Sequence, residues 1–440
     1  MCIFFLRYWL QIRDVNNNSL SLLVAGSSSS ESVQPSISKS IYKASGTTSL
    51  TAFYDTSIDV INNNFSTEIT NNVSSGVAYL DGTRVGTTIY ACYVMLNDEG
   101  ENDSIVLVSS KDDGNTFTTP VVLRSSASPI SSDACNIEGL QMPDGSVTIG
   151  VILMGTEKTC EGDDCSISTQ AIVSTDGGAN FGSAFDIPIT LNTAERNAFP
   201  FSISSSGVMY GAHREDSSEV LIAFNSTGVL STTSFAQGTA ASGAYSRALA
   251  NGSNVDVVYE DDRFESGGLS NVVVTAFIND SGTLTQGNTF QVTTSSDCTS
   301  DVTSTQAFLD RNGDVEIFWL NPDTSEAVLS RVDVSEDPTS SSAVTDYLVD
   351  SDCTAVSTPG VSYANHINLF YLKGWNGYFR VGAFSSEDVL TFSDAQYVDI
   401  SEVVPVMHGS ADFTSPDGRF YNLYNLTTGS VSIARLVLTQ

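Results

Sequence analysis

The sequence predicts an all-β chain of repeated units that share a core, and three observations carry this. Apolar stretches of strand length alternate with turn residues, with no sustained helical periodicity. Two octamers, Ser110-Lys-Asp112-Asp-Gly114-Asn-Thr116-Phe117 and Ser174-Thr-Asp176-Gly-Gly178-Ala-Asn180-Phe181, both read S-x-D-x-G-x-[TN]-F, each between two strand-like stretches. A looser signal, a small turn followed by an apolar run, recurs at intervals of about 45 to 63 residues. A lone hairpin cannot bury its apolar faces, so a repeated hairpin implies stacked units.

Each octamer has a physical reading. The Asp carboxylate can accept hydrogen bonds from turn amides. The Gly supplies a backbone position that would strain a residue with a side chain. The Phe tucks under the turn and anchors it. The sets Ser110, Asp112, Gly114, Phe117 and Ser174, Asp176, Gly178, Phe181 are therefore expected to be structural.

The looser turns stand at Asp81-Gly82, Asp144-Gly145, Ser206-Gly207, Asn251-Gly252, Asn312-Gly313, Ala364-Asn365 and Asp417-Gly418. Three units also share an opening phrase, around Asp133-Ala-Cys135, Asp297-Cys298 and Asp352-Cys353. Units of about 50 residues with three or four strands match the blades of a β-propeller. Seven turns predict seven blades. The last turn leaves only about two further strands, so an N-terminal strand (49–54 or 65–69) is expected to complete the final blade and pair its free edge. On this reading residues 1–35 form an apolar segment with a Ser-rich linker, either a secretion signal or a connector, and 36–440 form one propeller domain.

The octamer resembles the Asp-box of sialidases and other bacterial-neuraminidase-repeat propellers. That resemblance implies a sialidase-like propeller with the boxes on its outer rim, away from any active site. It also brings the six blades of sialidases as the alternative count. The arginine motif expected near the N-terminus of a sialidase is absent. Residues 131–150 resemble the stretch that carries the family's nucleophile-activating Glu, but Asp133-Ala134 stands in its place. The resemblance therefore extends to the fold and departs from the sialidase catalytic set.

With 18 basic against 51 acidic residues, the formal charge is −33. A polyanion would be repelled, which excludes nucleic acid as a partner. The apolar runs of the N-terminus are too short to span a bilayer. The acidic surface favours solubility in salty water, and acidic loops also offer oxygen ligands for Ca²⁺; no other cofactor is expected. Beyond Cys2, six cysteines remain, and an even set fits disulfides in an oxidising compartment. Cys160 and Cys165 would close a short loop. Eight N-x-[ST] sequons permit glycosylation.

No phosphate-binding loop, dinucleotide fingerprint, nucleophile elbow or zinc-protease motif occurs. Glu260 and Asp262 end a strand and would share a face, a carboxylate pair suited to glycoside hydrolysis if correctly spaced. Arg214, Arg247, Arg196, Arg263 and Tyr245 lie near strand ends or unit starts and could form an anion- or ligand-binding cluster; inter-blade salt bridges are the structural alternative. The expected protein is an extracellular or cell-surface propeller that binds a glycan or a surface protein. Two alternatives stand beside it: an exo-acting glycoside hydrolase, and a self-associating subunit of a surface layer or filament.

Overall fold

The computed structural model describes four short strands before residue 56, then the strands and most turns from Val77 to Leu436. Several longer connections, among them 126–133, 193–198, 237–245, 262–270, 294–302 and 399–410, lie outside the described residues. Every regular element described is a β-strand.

The first sheet is an antiparallel meander of Val77–Val85, Thr88–Leu96, Asn102–Ser110 and Val121–Ser125. The second uses Ala134–Gln141, Val147–Glu161, Asp164–Ser174 and Phe185–Asn192. The third uses Phe201–Ile203, Met209–Glu215, Ser218–Asn225 and Gly228–Phe235. The fourth runs Ser246–Asn251, Asn254–Asp261, Asn271–Asp280 and Thr283–Gln291, and the fifth Thr303–Leu309, Val315–Asn321, Glu326–Val332 and Val344–Asp350. The sixth gathers six strands between Ala355 and Val398 around His366–Lys373 and Asn376–Phe384. The last has three: Ala411–Thr414, Phe420–Asn425 and Val431–Leu436.

Burial explains why the strands differ in composition. Middle strands such as Val315–Asn321 are buried along their whole length, because a neighbouring sheet covers each face. Fourth strands such as Gly228–Phe235 and Val344–Asp350 are largely exposed and carry Ser, Thr and Asp. One hydrophobic cluster fills each gap between consecutive sheets from the first to the sixth. Ile152, Phe201 and Phe224 belong to the cluster between sheets two and three. Tyr210, Tyr259 and Phe277 belong to the one between sheets three and four.

The first strands of sheets one to six pack each against the next in chain order, and Ala411–Thr414 of the last sheet packs against Val77–Val85 of the first. The chain thus brings its final sheet back to the start of the series.

Two expectations are corrected. Asp81-Gly82 lies inside a strand at a register shift, and the turn is made by Gly86, whose positive φ of 59° suits a residue without Cβ. The Asp81 carboxylate is engaged sideways by the next sheet, so this Asp-Gly pair does not turn the chain. Of the two candidates for the completing strand, the one at 49–54 is placed elsewhere: Thr51–Asp55 pairs with Ser38–Tyr42, and the last sheet has three strands among the described residues. An alternating pattern marks a strand but does not choose its partner. Residues 65–69 lie outside the described residues, as do Cys2 and Cys298.

The cysteines show a pairing that the sequence left open. Cys92 and Cys135 form a disulfide, with Cα atoms 6.3 Å apart, stapling the second strand of sheet one to the first strand of sheet two. Cys160 and Cys165 stand opposite each other in register across their hairpin, but their side chains lie outside the described residues. Cys353 is a free thiol buried in the cluster between sheets five and six, where burial raises its pKa to about 11. Among the described residues no helix is long and apolar enough to cross a membrane.

Candidate functional site

Antiparallel pairing divides the molecule into two faces. In sheet one Val77 opposes Met95, and Asn102 opposes Leu96, so the start of the first strand, the end of the second and the start of the third share one end. The connections between sheets open at this end, here called the loop face. The tight first-to-second turns and both octamers occupy the opposite, turn face.

First strands are tied to their neighbours by single polar side chains. The Asp81 carboxylate accepts from the Ile137 amide at 2.8 Å, from Asn136 Nδ2 at 3.2 Å and from the Gly82 amide at 2.8 Å. Ser202 Oγ accepts from the Ala250 amide at 2.7 Å, and Asn251 Nδ2 donates to the Gly313 carbonyl at 2.8 Å. These bonds satisfy backbone groups that a sheet edge would leave open.

Along the first strands Asp81, Asn136, Glu138 and Arg247 are only half-buried. Side chains from three sheets meet here. Desolvation pushes the Glu138 carboxyl up to about 7; the Arg247 charge and a hydrogen bond from Thr83 oppose this, and the Asp81 charge adds to it. Desolvation likewise raises Asp81 to about 6 against the bonds from Ile137, Asn136 and Gly82 and the charge of Arg247. Arg247 of sheet four thus acts on carboxyls of sheets one and two. Its Nε has no hydrogen-bond partner among the described residues.

A second cluster adjoins the first on the loop face, in the seam between sheets three and four. Buried Glu219 accepts a short hydrogen bond from the Ser246 hydroxyl, one residue before Arg247. Desolvation raises Glu219 to about 7, opposed by the Ser246 bond and the Arg214 charge and reinforced by Asp261. Arg214 Nε has no hydrogen-bond partner among the described residues.

Of the residues singled out from sequence, Arg247 and Arg214 stand in these two clusters. Glu260 is buried, and alternation puts it on the same face as Val258, which packs in the core between sheets four and five. The carboxylate of this strand that joins the seam is its neighbour Asp261. Asp262, Arg263, Arg196 and Tyr245 lie outside the described residues. Asp81, Glu138, Glu219 and Asp261 were missed. The available signal was an acidic residue breaking an otherwise apolar or neutral first strand, as Glu138 does in Ala134–Gln141. Among the described residues no group of three or more His, Cys, Asp or Glu is arranged to hold a metal ion.

The octamers form matching turns at the turn face. Ser110 Oγ donates to Asp112 at 2.8 Å and accepts from the Gly114 amide at 2.8 Å. Asp112 accepts from the Thr116 amide at 2.8 Å and its hydroxyl at 2.6 Å. The second octamer repeats this set: Ser174 to Asp176 at 2.7 Å, Gly178 amide to Ser174 at 2.9 Å, and Asn180 amide and side chain to Asp176 at 2.9 and 2.8 Å. The hydrogen bonds from Thr116 and Asn180 hold Asp112 and Asp176 down to about 2. Phe181 packs against the core between sheets one and two.

Neither a protein-family model nor a curated protein sequence matches this chain. Solved structures do. The polysaccharide lyase Uly1 aligns at 8% identity and a TM-score of 0.51, over 82% of this chain and 90% of that one. The β-propeller domain of the Trilobed protease from Pyrococcus furiosus, described as having an open velcro topology, aligns at 11% identity and 0.47, over 82% and 93%. NanB sialidase from Streptococcus pneumoniae aligns at 12% and 0.38, over 83% and 68%. The structural neighbours are β-propellers. At such identities the likeness concerns the fold.

Proposed function

We propose that the chain is a secreted, seven-bladed β-propeller that binds a neutral glycan at the centre of its loop face. Seven successive sheets, with first strands in contact from the first sheet to the sixth and from the last back to the first, support seven blades over six. Packing of the three-stranded last sheet against the first supports closure of the ring. The disulfide accords with an oxidising compartment.

The observation that carries the binding reading is the convergence of Asp81, Asn136, Glu138 and Arg247, all half-buried, from three sheets. Carboxylates accept from sugar hydroxyls, while amide and guanidinium groups donate to them. The net charge of −33 disfavours an anionic chain. The test is calorimetric titration with neutral and uronate-bearing oligosaccharides. Saturable binding of a neutral oligosaccharide, lost in Arg247→Ala, is the expected result. Preference for the charged set, or binding unchanged in the variant, would overturn it.

A second reading rests on Glu138 alone. A carboxyl near 7 beside a second carboxyl is suited to proton transfer in glycan cleavage. Release of reducing ends by the wild type and none by Glu138→Gln would establish it.

A further inference from the structure

We propose that Asn225 carries an N-linked glycan, whereas the sequons at Asn251 and Asn279 stay bare. The chemistry of each side chain separates them. Asn251 Nδ2 donates to Asp256 at 2.9 Å and to the Gly313 carbonyl at 2.8 Å. Asn279 Nδ2 donates to the Tyr210 hydroxyl at 2.6 Å. Both hydrogens of the Asn251 nitrogen are committed inside the fold, so a sugar there would displace a partner that then needs another, and the Asn279 nitrogen is crowded by the hydroxyl of buried Tyr210.

Asn225 differs in each respect. It ends the third strand of sheet three, at the two-residue turn Ser226-Thr227, and both turn residues are exposed. Its Oδ1 accepts from the Thr227 amide at 2.8 Å and from the Thr227 hydroxyl at 2.7 Å. The amide nitrogen takes part in no hydrogen bond among the described residues. Asn225 and Ser226 also wall a cavity of about 390 Å³ on the turn face, between sheets two and three, whose other walls include Asp144, Ser146 and Met142. Hydroxyl-rich walls with an apolar patch give the first sugar room and hydrogen-bond partners.

The modification joins Asn225 Nδ2 to C1 of an oligosaccharide donated from a polyprenyl diphosphate. The N–C1 bond forms, the C1–O bond breaks, the diphosphate leaves with the bonding electrons, and the amide gives up one proton. The inference rests on the secretory route proposed above and is independent of ligand binding, so either can fail alone.

The test is secretion of the full chain behind a eukaryotic leader, with glycopeptide mapping by mass spectrometry. The expected result is a modified Asn225 peptide and bare Asn251 and Asn279 peptides. Asn225→Asp keeps the accepting oxygen of the turn and removes the acceptor nitrogen, so it should be secreted as well as wild type and lighter by one glycan. Thr227→Ala, which leaves Asn225 in place but destroys the sequon, should show the same loss. A bare Asn225 in the secreted protein, or a glycan at Asn251 or Asn279, overturns the proposal.

Discussion

The charge of Arg247, in the fourth sheet, acts on Glu138 of the second and offsets part of the desolvation that lifts the Glu138 carboxyl to about 7. The two residues are far apart in the chain, and the packing of successive first strands brings their sheets together.

Replacing Arg247 with Gln removes the main charge holding Glu138 and Asp81 down, so both carboxyls should titrate at higher pH. Carbon-13 NMR of the Glu138 side chain reads this directly. Glycan affinity should fall about tenfold or more, the usual consequence of losing a charged hydrogen-bond donor. A Glu138 titration indistinguishable from wild type would show that the pair does not interact.

Stability should rise on mild acidification. Burial raises Asp81 and Asp256 to about 6, Glu138 and Glu219 to about 7 and Glu316 to about 8. Each folded-state value lies above the unfolded one, so the folded chain binds more protons between about pH 4.5 and 8, and stability falls as pH rises through that window. Asp112 and Asp176, held at about 2, act oppositely: their contribution is present above the ordinary carboxylate value and is lost as pH falls towards 2. Calorimetry should therefore find a higher Tm at pH 5 than at pH 8, with a decline below pH 4. A Tm that climbs from pH 5 to 8 would contradict this.

Breaking the Cys92–Cys135 staple should destabilise the chain by about 4 kcal/mol on a loop-entropy argument, since 43 residues separate the two sulfurs in sequence. Equilibrium unfolding with and without reductant measures it, and the paired variant Cys92→Ala/Cys135→Ala should match the reduced protein. Identical curves would show that the staple adds nothing.

Gly211 sits where a Cβ would come within 2.3 Å of Phe199 Cζ. Gly211→Ala should cost about 1–3 kcal/mol through overpacking between sheets two and three. Gly145→Ala, at a turn with nothing within 4 Å but a φ of 87°, should destabilise through backbone strain alone. The second substitution should leave a Phe199→Leu background no better tolerated, whereas the first should be partly rescued.

Removing the Asp176 carboxylate as Asp176→Ala should speed amide exchange at Asn180, which donates directly to it, with smaller effect at Gly178, held by Ser174. Uniform protection in the variant would mean that the turn does not depend on its Asp.

The all-β class, the repeating unit and the strands after the turns at Gly145, Gly207, Gly252 and Gly313 could be read from the sequence, because alternation and turn chemistry act over a few residues. The hydrogen-bonding Asp of both octamers was legible for the same reason, whereas the bond from the Gly amide to the Ser hydroxyl was not. That Cys92 pairs with Cys135, and which acids share a centre, were decided by the tertiary structure. Glu138 stands in an ordinary strand until sheets one and four are placed around it, and Asp81 reads as a turn until Ile137 claims its carboxylate. Local pattern fixes which way a side chain points from its own strand; desolvation and charge pairing depend on neighbours far along the chain, and no short stretch of residues records them.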